Sequence, residues 1–202
     1  ACHNTALGHQ ALYKNTTGAC NIGIGQCALY TSLSGNYNFA AGKCALYSNY
    51  GGVDNTAIGR VTLCKNTTGN YNTAVGPEAL CSNTTGSFNT AVGYQALLAN
   101  TTGAYNVAVG RWTLRSNTTG GCNVVMGNQS LLNNTIGNFN IALGYNTLGV
   151  NISGSDNTAI GCGALYTSNA CKNHAIGNGA LYYNTTGHNN VAIGHGGLNR
   201  NT

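Results

Sequence analysis

The residues of this sequence with the clearest chemistry are its cysteines, of which there are nine in 202 residues. Two pairs are separated by 17 residues, and residues stacked on adjacent β-strands lie about 4.8 Å apart. That distance is within the Cα separation a disulfide accepts, so we expect disulfide bonds and an oxidising environment. The candidate pairs are Cys27 with Cys44, Cys64 with Cys81, Cys2 with Cys20, and Cys162 with Cys171. Free thiols in stacked positions are the alternative.

A second group with possible chemistry is the set of Asn-x-Ser/Thr sequences, each a potential acceptor of an N-linked glycan. They occur at Asn15, Asn66, Asn83, Asn100, Asn117, Asn128, Asn133, Asn151 and Asn184. Most belong to the word "NTTG", whose residues are also typical of turns. Two interpretations therefore stay open: glycans project from an outer turn, or the turn requires these residues without any glycan.

Catalytic or metal-binding constellations are not evident. The three acids, Asp54, Glu78 and Asp156, are far apart in sequence. The five histidines do not cluster with an acid and a nucleophile, which an active site requires. Cys171-x-x-His174 lacks the second ligand pair of a zinc site. We expect no enzyme activity, no cofactor and no metal.

Composition narrows the function classes further. Only 11 residues are charged, 8 of them basic, and no run of Lys or Arg exists. Nucleic-acid binding therefore has little support. No apolar stretch approaches the ~18 residues of a membrane span. The sequence starts with Ala and has no secretory signal, so we expect a processed chain or a fragment of a longer array.

These residues are placed by a repeat that fills residues 1–202 as a single domain. Its unit is Asn-x-Ala-x-Gly, and we number repeat positions from this Asn as position 0. Position 4 is Gly and position 8 is Leu in all twelve copies. The repeats start near residues 4, 21, 38, 55, 72, 89, 106, 123, 140, 157, 173 and 190.

Seventeen residues are too few for a helical hairpin repeat, which needs ~33. Frequent glycine also disfavours helices. We therefore predict an all-β fold: a narrow β-solenoid of twelve coils, uncapped at both ends, with two short strands per coil. One strand would end at the Gly of position 4 and the other would centre on the Leu. The predicted core ladder is Leu12, Leu29, Leu46, Leu63, Leu80, Leu97, Leu114, Leu131, Leu148, Leu165, Leu181 and Leu198.

Repeat positions 2 and 3 pose a question, because both are apolar and neighbours on a strand face opposite ways. Position 2 is mostly Ala and position 3 is mostly Ile, Val or Leu. If Ala faces inward, an aliphatic stripe faces outward and needs a partner. If the aliphatic residue faces inward, an outward Ala ladder permits close packing. A bend that turns both inward is a third possibility.

The two ends of the sequence match each other. The end joined to the beginning reads "LNRNTACHNTALG", and the irregular internal step of 16 residues reads "LYTSNACKNHAIG". We therefore expect copies to continue one another head to tail, and a heterologous contact of this kind generates filaments.

The words "NTAVGYQAL" and "NTTGNYNTAVG" resemble repeats of bacterial and viral tail-fibre-like proteins and head repeats of trimeric autotransporter adhesins. That resemblance implies an extracellular β-roll or β-solenoid, often trimeric, used in fibres or adhesion. No catalytic residue carries over. The cysteines and the lack of a coiled-coil stalk depart from those families.

The function we expect is structural: a protomer of an extracellular fibre, secreted or on a virion or cell surface, whose partners are copies of itself. A trimeric adhesin or tail-fibre shaft that binds a host surface is the alternative. Ice binding by a flat threonine face is a second alternative. Position 1 is Thr in only five repeats, at Thr5, Thr56, Thr73, Thr90 and Thr158.

Overall fold

The structure is a computed structural model that describes residues 2–201 as twelve three-residue strands joined by turns. Each strand pairs in parallel with the next one along the chain, so the sheet has the order β1 to β12. The all-β solenoid predicted from the repeat is confirmed. The strands are β1 Thr5–Leu7, β2 Ile22–Ile24, β3 Phe39–Ala41, β4 Thr56–Ile58, β5 Thr73–Val75, β6 Thr90–Val92, β7 Val107–Val109, β8 Val124–Met126, β9 Ile141–Leu143, β10 Thr158–Ile160, β11 His174–Ile176 and β12 Val191–Ile193.

Equivalent repeat positions stack directly on one another. In β5 and β6, for example, Ala74 pairs with Ala91 and Val75 with Val92. The register also passes the short repeat without a slip, because Ala159 in β10 pairs with Ala175 in β11. The missing residue is therefore absorbed in the turn before β11 and not in the strand.

The prediction of a second strand around the leucine is wrong. Position 8 lies in a turn, and its leucines have φ between 45° and 55°. In the coil that starts at Asn72, Gly76 accepts a hydrogen bond from the N–H of Ala79, and Glu78 between them has φ 60°. A positive φ at the third residue is the geometry of a type II turn. Left-handed residues at positions −1, 6 and 8 thus close each coil with only one strand.

The core is made of Ala at position 2 and Leu at position 8, which resolves the question of which apolar residue faces inward. The middle residue is buried in every strand except β1, and the first and third residues are not buried in any strand. Ten of the twelve leucines, from Leu29 to Leu181, are fully buried. The aliphatic stripe of position 3 therefore faces outward.

The core is open in the first and last coils of the described chain. Leu12 is only partly buried, and Leu198 is 53% exposed. Both leucines have a stacked leucine on one side only, so the apolar column reaches the surface at each end.

Candidate functional site

A column of asparagines at position 0 runs through the solenoid. In Asn72, the backbone N–H donates to Asn55 Oδ1 at 3.0 Å, and the side-chain Nδ2 donates to the same oxygen at 3.1 Å. Nδ2 also donates to the carbonyl oxygen of Gly86 at 2.9 Å. The backbone bond recurs from Asn21 to Asn190. Because a buried unpaired polar group costs about 1–3 kcal/mol, each asparagine strongly favours an identical neighbour.

A second asparagine column stands at position 11, inside the "NTTG" turn. Asn83 Nδ2 donates to Asn66 Oδ1 at 2.8 Å and to the carbonyl oxygen of Gly86 at 2.9 Å. The bond to the preceding asparagine recurs from Asn66 to Asn151. The turn therefore presents its threonines to solvent and its asparagine to the interior.

This inward orientation corrects the expectation that the glycan candidates project from an outer turn. Six of the nine are fully buried: Asn66, Asn83, Asn100, Asn117, Asn151 and Asn184. In all six, Nδ2 is the atom a glycan would occupy, and it donates to a glycine carbonyl. Asn15 is half-buried and makes the same bond, at 2.9 Å. Only Asn128 and Asn133 are exposed.

Glycine at position 4 is required by the closeness of the coils. Gly76 has φ 126°, and a Cβ on it would lie 2.7 Å from the carbonyl oxygen of Gly93 in the next coil. Any side chain there would combine a strained backbone with a clash against backbone atoms. The same close approach recurs along the solenoid, but around Gly194 nothing lies within 4 Å of the Cβ position. The stacking surface of the last coil is open.

Each coil presents two different hydrogen-bonding faces. On the face toward the next coil, Thr73 N donates to Asn89 O at 2.9 Å, and Leu80 N donates to Ala96 O at 3.0 Å. On the opposite face, position 4 donates backwards, as Gly93 N does to Val75 O at 2.8 Å. The two faces are therefore complementary to each other and not to themselves.

In the last coil the forward-facing donors lack acceptors. The N–H groups of Val191, Leu198 and Arg200 are equivalent to groups that bond forward in interior coils. Within residues 2–201 no carbonyl oxygen accepts from them. Such a row of unpaired backbone groups is a template for pairing with another strand.

All nine cysteines are free thiols in the structure, so the expected disulfides are not formed. Cys64 and Cys81 are nevertheless in contact on adjacent coils, with the Cys64 thiol donating to Cys81. That hydrogen bond, with the nearby cations Lys65 and Arg60, lowers the pKa of Cys81 to about 7. The same contact and burial raise the pKa of Cys64. The pair therefore holds a thiolate against a thiol near neutral pH.

The other candidate pairs differ in how well they are placed. Cys27 and Cys44 also interact across adjacent coils, and burial followed by the nearby Cys27 raises the pKa of Cys44. Cys20 N donates to Cys2 O at 3.0 Å, so these two residues are neighbours in the ladder. Cys162 follows the carboxyl end of β10 and Cys171 precedes the amino end of β11. The strand between these ends spans roughly 10 Å, so the structure does not bring Cys162 and Cys171 together.

Polar side chains form one surface cluster across four coils, and it contains one of the three acids. Arg60 pairs with Glu78, and Gln95 Nε2 donates to Glu78 at 2.7 Å. Trp112 Nε1 and Arg115 Nε donate to Gln95 Oε1 at 2.9 and 3.1 Å. The bond from Gln95, followed by that from Arg60, lowers the pKa of Glu78. The cluster keeps its acid ionised and ties neighbouring coils together.

Stacked aromatic rings form two further columns. Tyr71, Phe88 and Tyr105, at position −1, stack with ring centroids 5.0 Å apart. Tyr13, Tyr30 and Tyr47, at position 9, stack in the same way, 5.4 and 4.9 Å apart. The columns support the stacking of coils from outside the core.

Neither a metal centre nor a membrane-crossing helix is found in residues 2–201. No three His, Cys, Asp or Glu side chains in this part of the chain form a group that could hold a metal ion. Of the residues described, none belongs to a helix long and apolar enough to cross a membrane. Compared with known proteins, the chain matches no family model, no curated sequence and no solved structure at a significant level.

Proposed function

We propose that the chain is a structural protomer of an extracellular fibre, in which copies join head to tail by continuing the solenoid. The observation that carries this proposal is the complementarity of the two stacking faces. The donors of Val191, Leu198 and Arg200 match acceptors that every coil offers on its opposite face. A contact between two different faces does not close on itself, so it propagates.

The junction would also cover the open core. Leu198, 53% exposed, would receive a stacked leucine equivalent to Leu12, as the interior leucines do. The asparagine columns would continue across the junction, since Asn190 and Asn4 occupy the same position 0. The free energy of the junction therefore comes from the interactions that hold one coil on the next.

The experiment is electron microscopy of the purified 202-residue chain at increasing concentration. One copy is a rod of roughly 58 Å, so we expect a distribution of much longer rods. The variant Leu198→Glu would bury a charge at the junction and should leave single rods. Thr102→Glu places the same charge on an exposed turn and should assemble as the wild type does. Wild-type rods that keep a single length at every concentration would refute the proposal.

The fibre is proposed to work outside the cell, with cross-links between adjacent coils. Cys64 with Cys81 and Cys27 with Cys44 are the pairs that support this part of the proposal. Glycans remain a proposal for Asn128 and Asn133 only. Mass spectrometry of native material, alkylated without reduction, tests both ideas: each disulfide protects two thiols, and each glycan adds mass to one of these peptides.

A further inference from the structure

The outward face of the sheet is apolar along its whole length. We define the outward face as the first and third residues of β1 to β12. Of the 24 side chains, none is Lys, Arg, Asp or Glu, and His174 is the only titratable one. The aliphatic side chains are substantially exposed; Ile58 is 39% and Met126 47% accessible. In a chain whose charges all lie elsewhere, such a stripe indicates a contact surface.

Its size fits a protein partner. Twelve strands at ~4.8 Å give a length of roughly 58 Å, and five residues across, from position −1 to 3, give a width of ~16 Å. The area is therefore about 900 Å², close to the ~800 Å² that each partner buries in an interface of standard size. It exceeds the ~300–600 Å² of the largest apolar patch on a typical monomer.

The spacing of the face points to a second copy as the occupant. Its rows of side chains repeat at every strand, and another copy has the same repeat over the same length. Rows of β-branched side chains on two such sheets can interdigitate without a mismatch.

The residues at the two edges of the face decide the orientation. If a two-fold axis runs along the rods, each coil meets the same coil of its partner, and position −1 of one copy lies opposite position 5 of the other. This places Arg60 opposite Asp54, an ion pair. It also places Arg111 opposite Tyr105 and Lys43 opposite Tyr37, which favours cation–π contacts. All six of these side chains are exposed. Rods of opposite direction would instead bring like edges together, without the pair of Arg60 and Asp54.

We infer that two copies pack in parallel, outward face against outward face, with Arg60 of each copy opposite Asp54 of the other. This lateral contact is isologous and closes as a pair, so it is independent of head-to-tail growth. The two contacts are compatible, because parallel rods keep the same growing end.

The first test is the width and the native mass of the assembly. Wild-type rods should be paired. Val92→Lys, in the middle of the outward face, should weaken pairing at least about a hundred-fold, because two lysines per pair would lose water. Thr102→Lys, on an exposed turn of the neighbouring coil, should leave pairing unchanged. A melting curve checks that both variants fold. Single-width wild-type rods at all concentrations would overturn the inference, as would paired rods of the folded Val92→Lys variant.

The second test addresses orientation. In the Arg60→Lys variant, a carbodiimide can join the new amine to a carboxylate in contact with it. Equal amounts of ¹⁴N- and ¹⁵N-labelled chains are mixed, cross-linked and digested. We expect mixed-label links from position 60 to Asp54, and same-label links to Glu78 as an internal control. Links to Glu78 without mixed-label links to Asp54 would show that the parallel pairing is wrong.

Discussion

At the scale of the residue, glycine at position 4 is the most constrained element of the repeat. Its left-handed backbone and its contact with the next coil act together, and both follow from stacking at about 4.8 Å. Other glycines are free of this constraint. A Cβ on Gly51 would meet only the hydroxyl of Ser34, at 3.6 Å.

These two glycines give a matched pair of variants. Gly76→Ala should lower the free energy of unfolding by at least about 3 kcal/mol, from backbone strain together with the clash against Gly93. Gly51→Ala should change it by less than about 0.5 kcal/mol. Urea titration followed by circular dichroism measures both values. Equal effects of the two substitutions would contradict the role given to the close approach at position 4.

The thiols of Cys64 and Cys81 offer a second test at this scale. Cys64→Ala removes the thiol that donates to Cys81, so the pKa of Cys81 should rise from about 7 toward its ordinary value near 8.5. Because the thiolate is the reactive form, the alkylation of Cys81 below pH 8 should slow. The measurement is the rate of iodoacetamide labelling at Cys81 against pH, with Cys122 as an exposed reference thiol. An unchanged pH profile at Cys81 would refute the thiol–thiolate contact.

At the scale of the element, the sequence predicts the coil but not how the coil closes. The interval of 17 residues and the invariant leucine are sufficient to predict the stacked strands and the core. The second strand was predicted wrongly because left-handed φ values occur at residues as different as Val61, Glu78 and Trp112. No residue preference marks these positions, since stacking against identical neighbours imposes the conformation.

The buried asparagines were missed for a related reason. Asparagine is usually exposed and favours turns, so "NTTG" indicates a surface turn. The bond from Asn83 to Asn66 exists only between stacked coils, and one repeat considered alone gives no sign of it. A sequence analysis that placed identical residues at stacking distance could have found the amide ladder.

The ladder predicts a pH-dependent variant. In Asn89→Asp a carboxylate would replace the Nδ2 that now donates to Asn72 Oδ1 and to Gly103 O, so it would face two acceptors. Its pKa in the folded state should therefore be raised above the unfolded value of about 3.9. Stability should be highest below that unfolded value and should be lost as the pH rises through the raised folded pKa.

Asn70→Asp is the matched control for this variant. Asn70 Oδ1 accepts from Val53 N at 2.8 Å, and a carboxylate preserves that acceptor. Thermal unfolding from pH 3 to pH 8 should separate the two: Asn89→Asp melts at progressively lower temperature as the pH rises, relative to the wild type, and Asn70→Asp does not. Parallel curves for both would mean that the position 0 amide does not need its donor.

At the scale of the whole molecule, the solenoid is a one-dimensional stack in which each strand contacts only its neighbours. Stability in such a stack is approximately the sum of the contributions of coils and of the interfaces between them. Removing a whole coil should therefore preserve the fold, because the join recreates an existing interface.

Deletion of residues 72–88 tests this additivity, since it joins Tyr71 directly to Asn89 and keeps the register. The shortened chain should fold into a rod about 5 Å shorter, with a free energy of unfolding lower by one coil and one interface. Deletion of residues 72–80 removes fewer residues but joins position −1 to position 9, so the glycine, asparagine and leucine columns are interrupted. Small-angle scattering and urea titration should show a folded, shorter rod for the first deletion and a much less stable chain for the second. If the two deletions were equally stable, continuity of the columns could not be the source of the order in this chain.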